Sequence, residues 1–214
     1  MKIAPVKTPI VAKKMFPNYV WDIATSKKEL YLTFDDGPTP EITNWVLETL
    51  KQFNAKATFF CIGSNIEKHP EIFQNILNSG HAIGNHTQHH VKGWKTKTKA
   101  YLKEVDIAQS VINLEPKNQD YLFRPPYGQI KPKQGKKLIE LGYKIIMWDV
   151  LSFDWEQEIS EEKCLDNVIS KSKKGSIIVF HDSIKASKNL TFVLPKVLEI
   201  FSKKGYKFKA LELL

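Results

Sequence analysis

Short apolar, β-rich runs alternate with longer amphipathic runs along the whole chain. The short runs predict strands at residues 30–35, 57–62, 82–85, 121–124, 144–148, 176–181 and 207–211. The longer runs predict helices at residues 41–53, 70–78, 99–114, 133–141, 161–172 and 191–203, and a glycine closely follows four of them, as is common at helix C-termini. Strands that alternate with helices in this way predict an α/β fold, a distorted (β/α)7-type barrel of parallel strands that is closed or nearly closed.

The length of the chain sets the number of domains that we expect. At 214 residues, it is most simply one domain whose core needs no disulfide or metal to hold it together. We expect residues 29–214 to form this domain. Residues 1–28 mix lysine, proline and short apolar runs, and we expect them to form an N-terminal arm that packs on the domain. Peripheral contact of the arm with a membrane surface is the alternative.

Apolar runs and cysteines bear on where the protein works. No apolar run reaches the roughly 20 residues that span a bilayer, and no signal peptide is visible. We therefore expect a protein that is cytoplasmic or peripheral to the cell envelope, and the pattern leaves its oligomeric state open. Cys61 and Cys164 are too few for a disulfide framework, so we expect two buried, inert thiols.

The basic residues are almost all lysines. The formal net charge is +9, but the lysines are spread along the chain rather than gathered in a stripe with aromatic residues, so we expect no nucleic-acid partner. The charge instead favours attraction to anionic polymers or lipid surfaces. Of the 32 basic residues only Arg124 is an arginine, which indicates a position that needs a planar, bidentate guanidinium.

Polar side chains recur where the predicted strands end. Because parallel α/β folds place their chemistry at the carboxyl ends of the strands, we expect these side chains to share one rim. Alternation along a strand would send Asp35 and Asp36 to opposite faces, and we expect the break at Gly37-Pro38 to bring both to the rim. The full set is Asp35, Asp36, His86, Arg124, Asp149, Asp154, His181 and Asp182.

Two histidines and one carboxylate form a candidate metal site at this rim. His86 and His90 are four residues apart, so one helical turn would place both imidazoles on the same face. With Asp36 they provide two imidazoles and one carboxylate, which leaves positions open for water and substrate as in catalytic zinc sites. His89 offers a rival pair with His86 at a spacing of three.

Five segments follow the order of the five motifs of a known enzyme family. As a set they resemble the polysaccharide deacetylases, also called the NodB-homology domain or carbohydrate esterase family 4. The resemblance covers residues 30–214, and it identifies the predicted domain as a NodB-homology domain. The segments are residues 33–38 (TFDDGP), 86–90 (HTQHH), 124–128 (RPPYG), 154–155 (DW) and 179–181 (VFH).

The resemblance implies a metal centre with an adjacent base. It assigns the metal to Asp36, His86 and His90, and we expect Zn²⁺, with Co²⁺, Ni²⁺ or Mn²⁺ as alternatives. It makes Asp35 the general base that takes a proton from the attacking water. Arg124 would lie beside this base and hold its carboxylate ionised and in place.

The resemblance also implies a general acid and a pocket for the acetyl group. His181 would protonate the leaving amine, with Asp154 as the partner that raises its proton affinity. The backbone N–H of Tyr127 would stabilise the oxyanion. Trp155 and Val179, together with Tyr127, would line the groove that receives the acetyl group.

The sequence departs from the family pattern at three positions. Leu151 stands where the fourth motif commonly has a second acid, Val179 where the fifth usually has leucine, and Val91 where a proline is frequent. None of these changes removes a predicted metal ligand or proton carrier, so they bear on the choice of substrate. Trp148 and Trp94 fit either stacking on a sugar face or packing in the core.

The resemblance implies a metal-dependent hydrolase that removes N-acetyl groups from N-acetylglucosamine-containing glycans such as peptidoglycan or chitin-like oligomers. Short linkers between the predicted strands favour an open groove and hence a polymer. The alternatives are an amidohydrolase for a small molecule, an O-acetyl esterase, and a catalytically silent protein that only binds glycans.

Overall fold

The computed structural model describes residues 5–112 and 121–211, and its core is a curled sheet of parallel strands. The strands are β1 Glu29–Asp35, β2 Thr58–Cys61, β3 Ala82–Asn85, β4 Tyr121–Phe123, β5 Tyr143–Ile145, β6 Val150–Leu151, β7 Ile177–His181 and β8 Lys207–Phe208. They lie in the order β5-β4-β3-β2-β1-β7-β6, and β8 pairs with the start of β1. This architecture confirms the predicted α/β fold of parallel strands.

Helices connect most of these strands. The helices are α1 Ile10–Met15, α2 Ile42–Gln52, α3 Gly63–Lys68, α4 Pro70–Asn78, α5 Thr98–Ile112, α6 Pro132–Glu140, α7 Glu161–Lys171 and α8 Ser187–Lys203. Two of them, α1 and α3, were not predicted, because each has only six residues and so shows little periodicity. The predicted helix at 99–114 runs in part into residues outside the described ranges.

Strand β1 lies at the centre of the sheet and is buried on both faces. Leu30, Leu32 and Phe34 point outward to the helices, where the Phe34 ring stacks on Phe59 at a centroid distance of 5.0 Å. A strand buried on both faces has a continuous apolar sequence, which is why the sequence alone predicted β1.

The alternate residues of β1 point into the interior of the curled sheet. Tyr31 packs in a small apolar cluster that includes Phe60. Thr33 and Asp35 follow on the same face, and both accept hydrogen bonds from Arg124. The interior is therefore apolar near the amino end of β1 and becomes polar towards its carboxyl end.

Strand β6 was not predicted, and this changes the position of Asp149. The predicted fifth strand ran over 144–148, so Asp149 was expected at the rim; in the structure it precedes β6, and its N–H donates to Ile177 O at the start of β7. That expectation was wrong, because two short strands with a break between them resemble one strand in sequence. The buried Asp149 carboxylate instead binds Lys7 at 2.5 Å and Lys13 at 2.6 Å.

The described part of the N-terminal arm lies along the seam between the two edge strands of the sheet. Val20 forms a parallel bridge with Ile146, just after β5, and Lys7 forms an antiparallel bridge with Val150 in β6. The Val20 N–H donates to Ile145 O at 2.9 Å. The arm thus adds backbone hydrogen bonds to both edges.

Both cysteines are buried and free, as predicted. Burial raises the pKa of each thiol, which keeps it protonated and unreactive. Among the described residues, no helix has the length and apolar character needed to cross a membrane.

Candidate active site

Most of the predicted site residues line one cavity at the carboxyl ends of the strands. Its volume is about 430 Å³, within the usual range for ligand sites. Arg124 and Asp154 do not line it but lie behind it, in contact with residues that do. The lining comprises Asp35, Asp36, His86, His90, Pro125, Tyr127, Gly128, Trp148, Leu151, Trp155, Val179, His181 and Lys185.

The ligand atoms of Asp36, His86 and His90 lie within 4.8 Å of one another. Asp36 Oδ1 is 3.2 Å from His90 Nε2 and 3.8 Å from His86 Nε2. Ligands about 2.0–2.2 Å from a tetrahedral ion are separated by about 3.3–3.6 Å. The two distances from Asp36 Oδ1 lie within about 0.2 Å of this range, so the three atoms are close enough to share one ion.

Hydrogen bonding and burial around these atoms suit a bound cation. His86 Nδ1 donates to Arg124 O at 2.7 Å, which leaves the lone pair of Nε2 directed at Asp36. Burial lowers the pKa of His86 to about 4 and also lowers the pKa of His90, so both imidazoles are neutral at pH 7. Asp36 Oδ1 is buried and has no hydrogen-bond partner within the described ranges. A buried carboxylate oxygen without a partner, facing the Nε2 atoms of two neutral imidazoles, fits a bound cation.

The two histidines do not lie on a helical turn, contrary to expectation. Residues 86–92 are irregular, and Thr87 and His90 have the positive φ angles 66° and 55°. These left-handed residues curl the loop so that the His86 and His90 rings lie 5.1 Å apart between centroids. His89 points away from the site to Glu104 and is 61% exposed, so the rival pair is not brought together.

Asp36 reaches the rim because its own backbone changes conformation. Its φ angle is 83°, in the left-handed region that few non-glycine residues adopt. We expected a break in the strand at Gly37-Pro38 to bring Asp36 to the rim. In the structure the change of backbone direction occurs one residue earlier, at Asp36 itself. The side chain of Asn65, on the unpredicted helix α3, donates to the Asp36 carbonyl at 2.8 Å.

Asp35 lies at the end of β1 in contact with the only arginine. Arg124 Nη1 donates to Asp35 Oδ1 at 2.7 Å, and both side chains are buried. Burial alone would raise the pKa of Asp35, but the charge of Arg124, with smaller contributions from His86 and His181, lowers it below its usual range. Asp35 is thus ionised at neutral pH.

Arg124 is fixed by its other donors as well. Its guanidinium donates to Thr33 Oγ1 at 2.7 Å, Ile146 O at 3.2 Å and Met147 O at 2.9 Å. All three nitrogens of the guanidinium donate, but only one N–H group contacts the carboxylate, so the expected bidentate pair does not form. The planar group instead joins β1, which carries Asp35, to residues 146–147.

His181 forms a second charged pair on the same rim. Its Nδ1 donates to Asp154 Oδ1 at 2.8 Å, and its backbone N–H donates to Asp154 Oδ2 at 2.7 Å. Burial would lower the pKa of His181, but the Asp154 carboxylate outweighs it and raises the pKa to about 9. His181 is therefore protonated at neutral pH.

Tyr127 lies at the mouth of the cavity and is 55% exposed. Its φ angle is 58°, and none of the backbone carbonyls of the described residues accepts from its N–H. Its ring packs on His90 at 4.6 Å between centroids. The next residue, Gly128, has φ 65°, and a Cβ there would lie 2.5 Å from the Trp148 ring, so only glycine fits this turn.

An apolar wall faces these polar groups. Leu151, Phe153 and Val179 form a small cluster against which Trp155 and Trp148 pack. Leu151, where the family commonly has an acid, thus makes the wall more apolar. Trp94, the other tryptophan considered for sugar stacking, does not line the cavity and donates its indole N–H to a backbone carbonyl instead.

Three residues near the site were assigned no role from the sequence. Asn65 and Asp182 contact the backbone beside the predicted ligand Asp36, and Lys185 lines the cavity. The short runs around Asn65 and Lys185 show no periodicity that would place them. Only the position of Asp182 at a strand end drew attention to it.

Comparisons with known proteins identify the family. Residues 22–146 match the family model described as polysaccharide deacetylase. The peptidoglycan-N-acetylglucosamine deacetylase of Bacillus cereus is 36% identical over 194 residues, which cover 90% of this chain and 70% of that protein. Chitin deacetylase 2 of Saccharomyces cerevisiae is 33% identical over 183 residues, which cover 83% of this chain and 57% of that protein.

A solved structure is similar over nearly the whole length. The crystal structure of the Bc1960 peptidoglycan N-acetylglucosamine deacetylase, in complex with a substituted N-oxidanyl-benzamide, is 34% identical to this chain. The structural match covers 95% of each chain, with a TM-score of 0.86. The chain belongs to the polysaccharide deacetylase family, the membership that its five motifs predict.

Proposed function

We propose that this polysaccharide deacetylase removes N-acetyl groups from N-acetylglucosamine-containing glycans such as peptidoglycan or chitin-like oligomers. One observation carries the proposal: a carboxylate with its arginine, a histidine with its aspartate, and three converging ligand atoms surround a single cavity. The relatives support it, since they are named as peptidoglycan and chitin deacetylases.

Asp36, His86 and His90 would hold a divalent metal ion. Zn²⁺ suits two neutral imidazoles with one carboxylate, and Co²⁺, Ni²⁺ and Mn²⁺ are the alternatives. When bound, such an ion supplies Lewis-acid polarisation of a carbonyl oxygen and acidifies water.

Asp35 and His181 would carry the protons. Asp35, kept ionised by Arg124, takes a proton from the water that attacks the amide carbonyl carbon. His181, kept protonated by Asp154, gives its Nε2 proton to the amide nitrogen as the carbon–nitrogen bond breaks. The carbon–oxygen bond formed by the attacking water replaces the broken carbon–nitrogen bond, so the products are acetate and a free amine on the sugar.

The remaining cavity residues would bind the acetyl group and the developing oxyanion. The Tyr127 N–H has no backbone acceptor of its own within the described part of the chain, which leaves it free to donate to the oxyanion. Trp155, Val179 and Leu151 form the apolar wall, which suits the acetyl methyl group. The Tyr127 ring at the mouth is exposed, so a sugar bound there would lie at an open surface. A polymer substrate requires such an open surface.

The experiment is incubation of the zinc-loaded chain with chitin oligomers, peptidoglycan fragments and an O-acetylated xylan, followed by mass spectrometry for acetyl loss. We expect loss of N-acetyl groups from one of the first two substrates, and no loss with Asp35→Asn. Loss of acetyl groups from the xylan alone would indicate an O-acetyl esterase and contradict the proposed N-deacetylation. A zinc-loaded protein that removes no acetyl group from any of them would contradict the proposed reaction.

A further inference from the structure

A buried side chain of unassigned role lies against the loop that carries Asp36. Asp182, which follows His181, is fully buried, and its Oδ1 accepts a hydrogen bond from the Gly37 N–H at 3.1 Å. A Cβ at position 37 would lie 1.9 Å from Asp182 Oδ2, so this close approach requires glycine.

The second carboxylate oxygen of Asp182 is fixed by the far end of the same loop. Thr43 Oγ1 donates to Asp182 Oδ2 at 2.6 Å, and Thr43 is itself fully buried. Thr43 Oγ1 in turn accepts from the Thr39 N–H at 2.8 Å. One carboxylate thus joins the beginning of the loop to the first turn of α2.

Asp182 also holds the backbone on the other side of Asp36. The Asp182 N–H donates to Asp35 O at 3.1 Å. The peptide groups around Asp36 are therefore held at three points, two of them by Asp182 and one by Asn65. Asp36 itself has the left-handed φ of 83°, a conformation that persists only where the surroundings enforce it.

We propose that Asp182 is a positioning residue, which holds Asp36 in the conformation that directs its Oδ1 at His86 and His90. This rests on the proposed metal site, but it makes a separate claim, namely that metal affinity depends on a residue that does not touch the metal. Partners of this kind typically change metal affinity by about 10–100-fold when they are removed.

The test is the zinc dissociation constant of the full chain, measured by competition with a chromophoric chelator. We expect Asp182→Ala to bind zinc about 10–100-fold more weakly than the unmodified chain. Asp182→Asn keeps an acceptor for Gly37 and a polar partner for Thr43, so we expect its affinity to stay within about threefold of the unmodified value.

Asp149→Ala is the matched control. Asp149 is also a buried acid that binds neighbouring elements, but its partners Lys7, Lys13 and Ser176 do not line the cavity. We expect a lower melting temperature and unchanged zinc affinity in this variant. Equal loss of affinity in Asp149→Ala and Asp182→Ala would overturn the proposal, because general destabilisation would then explain both.

Thr43→Val carries the test if Asp182→Ala does not fold. It replaces with a methyl group the hydroxyl that binds the Asp182 carboxylate and the Thr39 N–H. We expect zinc affinity to fall by at least about threefold. Unchanged affinity in folded Asp182→Ala, or in Thr43→Val, would overturn the positioning role alone. An unmodified chain that does not bind zinc would overturn the metal site as well.

Discussion

Asp35 and Asp36 are neighbours in the chain, but their carboxylates have different surroundings. Asp35 is buried, points into the interior of the sheet and binds Arg124. Asp36 turns to the rim through its positive φ and faces His86 and His90. One backbone rotation therefore separates the proposed base, Asp35, from the proposed metal ligand, Asp36. Substitutions at these adjacent positions should have different effects.

We predict that Asp36→Ala loses zinc affinity, whereas Asp35→Asn keeps zinc and loses turnover. The base contributes typically about 10²–10⁴-fold to rate, so the turnover number of Asp35→Asn should fall by about that factor. Zinc content per chain and deacetylation rate are measured on the same preparations. Circular dichroism controls for folding, since Asp35→Asn leaves Arg124 buried without its charge partner. An Asp35→Asn protein with an undiminished rate would mean that another group is the base.

We predict that Asp154→Asn moves the alkaline limit of activity to lower pH. The raised pKa of His181 depends on Asp154. If His181 is the general acid that we propose, activity is present below this pKa and is lost as the pH rises through it. For the unmodified chain the alkaline limb should lie at or below about pH 9, because a bound cation repels the imidazolium. The measurement is kcat against pH for both proteins. Coinciding alkaline limbs would exclude Asp154 as the residue that tunes His181.

At this scale the sequence predicted which residues meet, but not the backbone that brings them together. All ten predicted site residues lie in the cavity wall or directly behind it, because strand ends of a parallel sheet converge. The left-handed conformations of Asp36, His90 and Tyr127 were not predicted, since no glycine or asparagine marks them. The roles themselves stay predictions until the variants are measured.

At the scale of elements, strands buried on both faces were easy to predict and two-residue strands were not. The continuous apolar run of β1 is typical of a strand buried on both faces. β6 and α3 are too short for periodicity, yet each places a residue at the site: Leu151 in the wall and Asn65 beside Asp36. Elements of this length depend on tertiary contacts, which a local pattern does not contain.

We predict that the contact between the arm and Asp149 stabilises the fold without affecting the metal site. Asp149 is buried but Lys7 and Lys13 are partly exposed, so we expect its removal to cost about 1.5–3 kcal/mol, as for hydrogen bonds to a charged group. Asp149→Ala should then lower Tm by about 3–12 °C in a chain of this size. Burial would raise the pKa of Asp149, but Lys13, Lys7 and Ser176 lower it. The contribution is therefore present at neutral pH and is lost as the pH falls through the folded-state pKa. A Tm within 1–2 °C of the unmodified value (about 0.5 kcal/mol) would contradict this role.

At the scale of the whole molecule, the sheet curls around an interior that closes under the site. Apolar packing fills the amino end, Arg124 and its acceptors form the next layer, and the cavity opens above them. The alternation of strands and helices is sufficient to predict such a curled sheet. The seam between β5 and β6, with the arm along it, was not specified by that alternation.

We predict that zinc stabilises the chain as well as activating it. A ligand that binds only the folded state adds about 2.7 kcal/mol at a concentration 100 times its Kd, which corresponds to a rise in Tm of about 5–10 °C for this length. Thermal melts with zinc, and after removal by a chelator, measure the shift. Asp36→Ala is the control and should show little shift. If the Tm of the unmodified chain does not change with zinc, the result would argue against the metal site.

The net charge of +9 leads to a prediction about substrate and salt. An anionic glycan such as peptidoglycan should be attracted to the basic protein, and raising the salt from about 0.1 M to 1 M shortens the screening length from about 10 Å to 3 Å. We expect kcat/KM on peptidoglycan fragments to fall over this range. The rate on neutral chitin oligomers serves as the control and should change little. An equal response of both substrates would exclude charge attraction.

The left-handed residues around the cavity have a consequence for engineering this protein. Each such position costs of order 1–3 kcal/mol, and glycine, which would relieve it, would delete the carboxylate of Asp36 or the imidazole of His90. The backbone around the cavity therefore stays strained where the proposed catalytic and metal-binding side chains lie. Attempts to raise Tm should leave these left-handed residues unchanged. Substitutions in the outer helices and the arm can add stability there without lowering turnover.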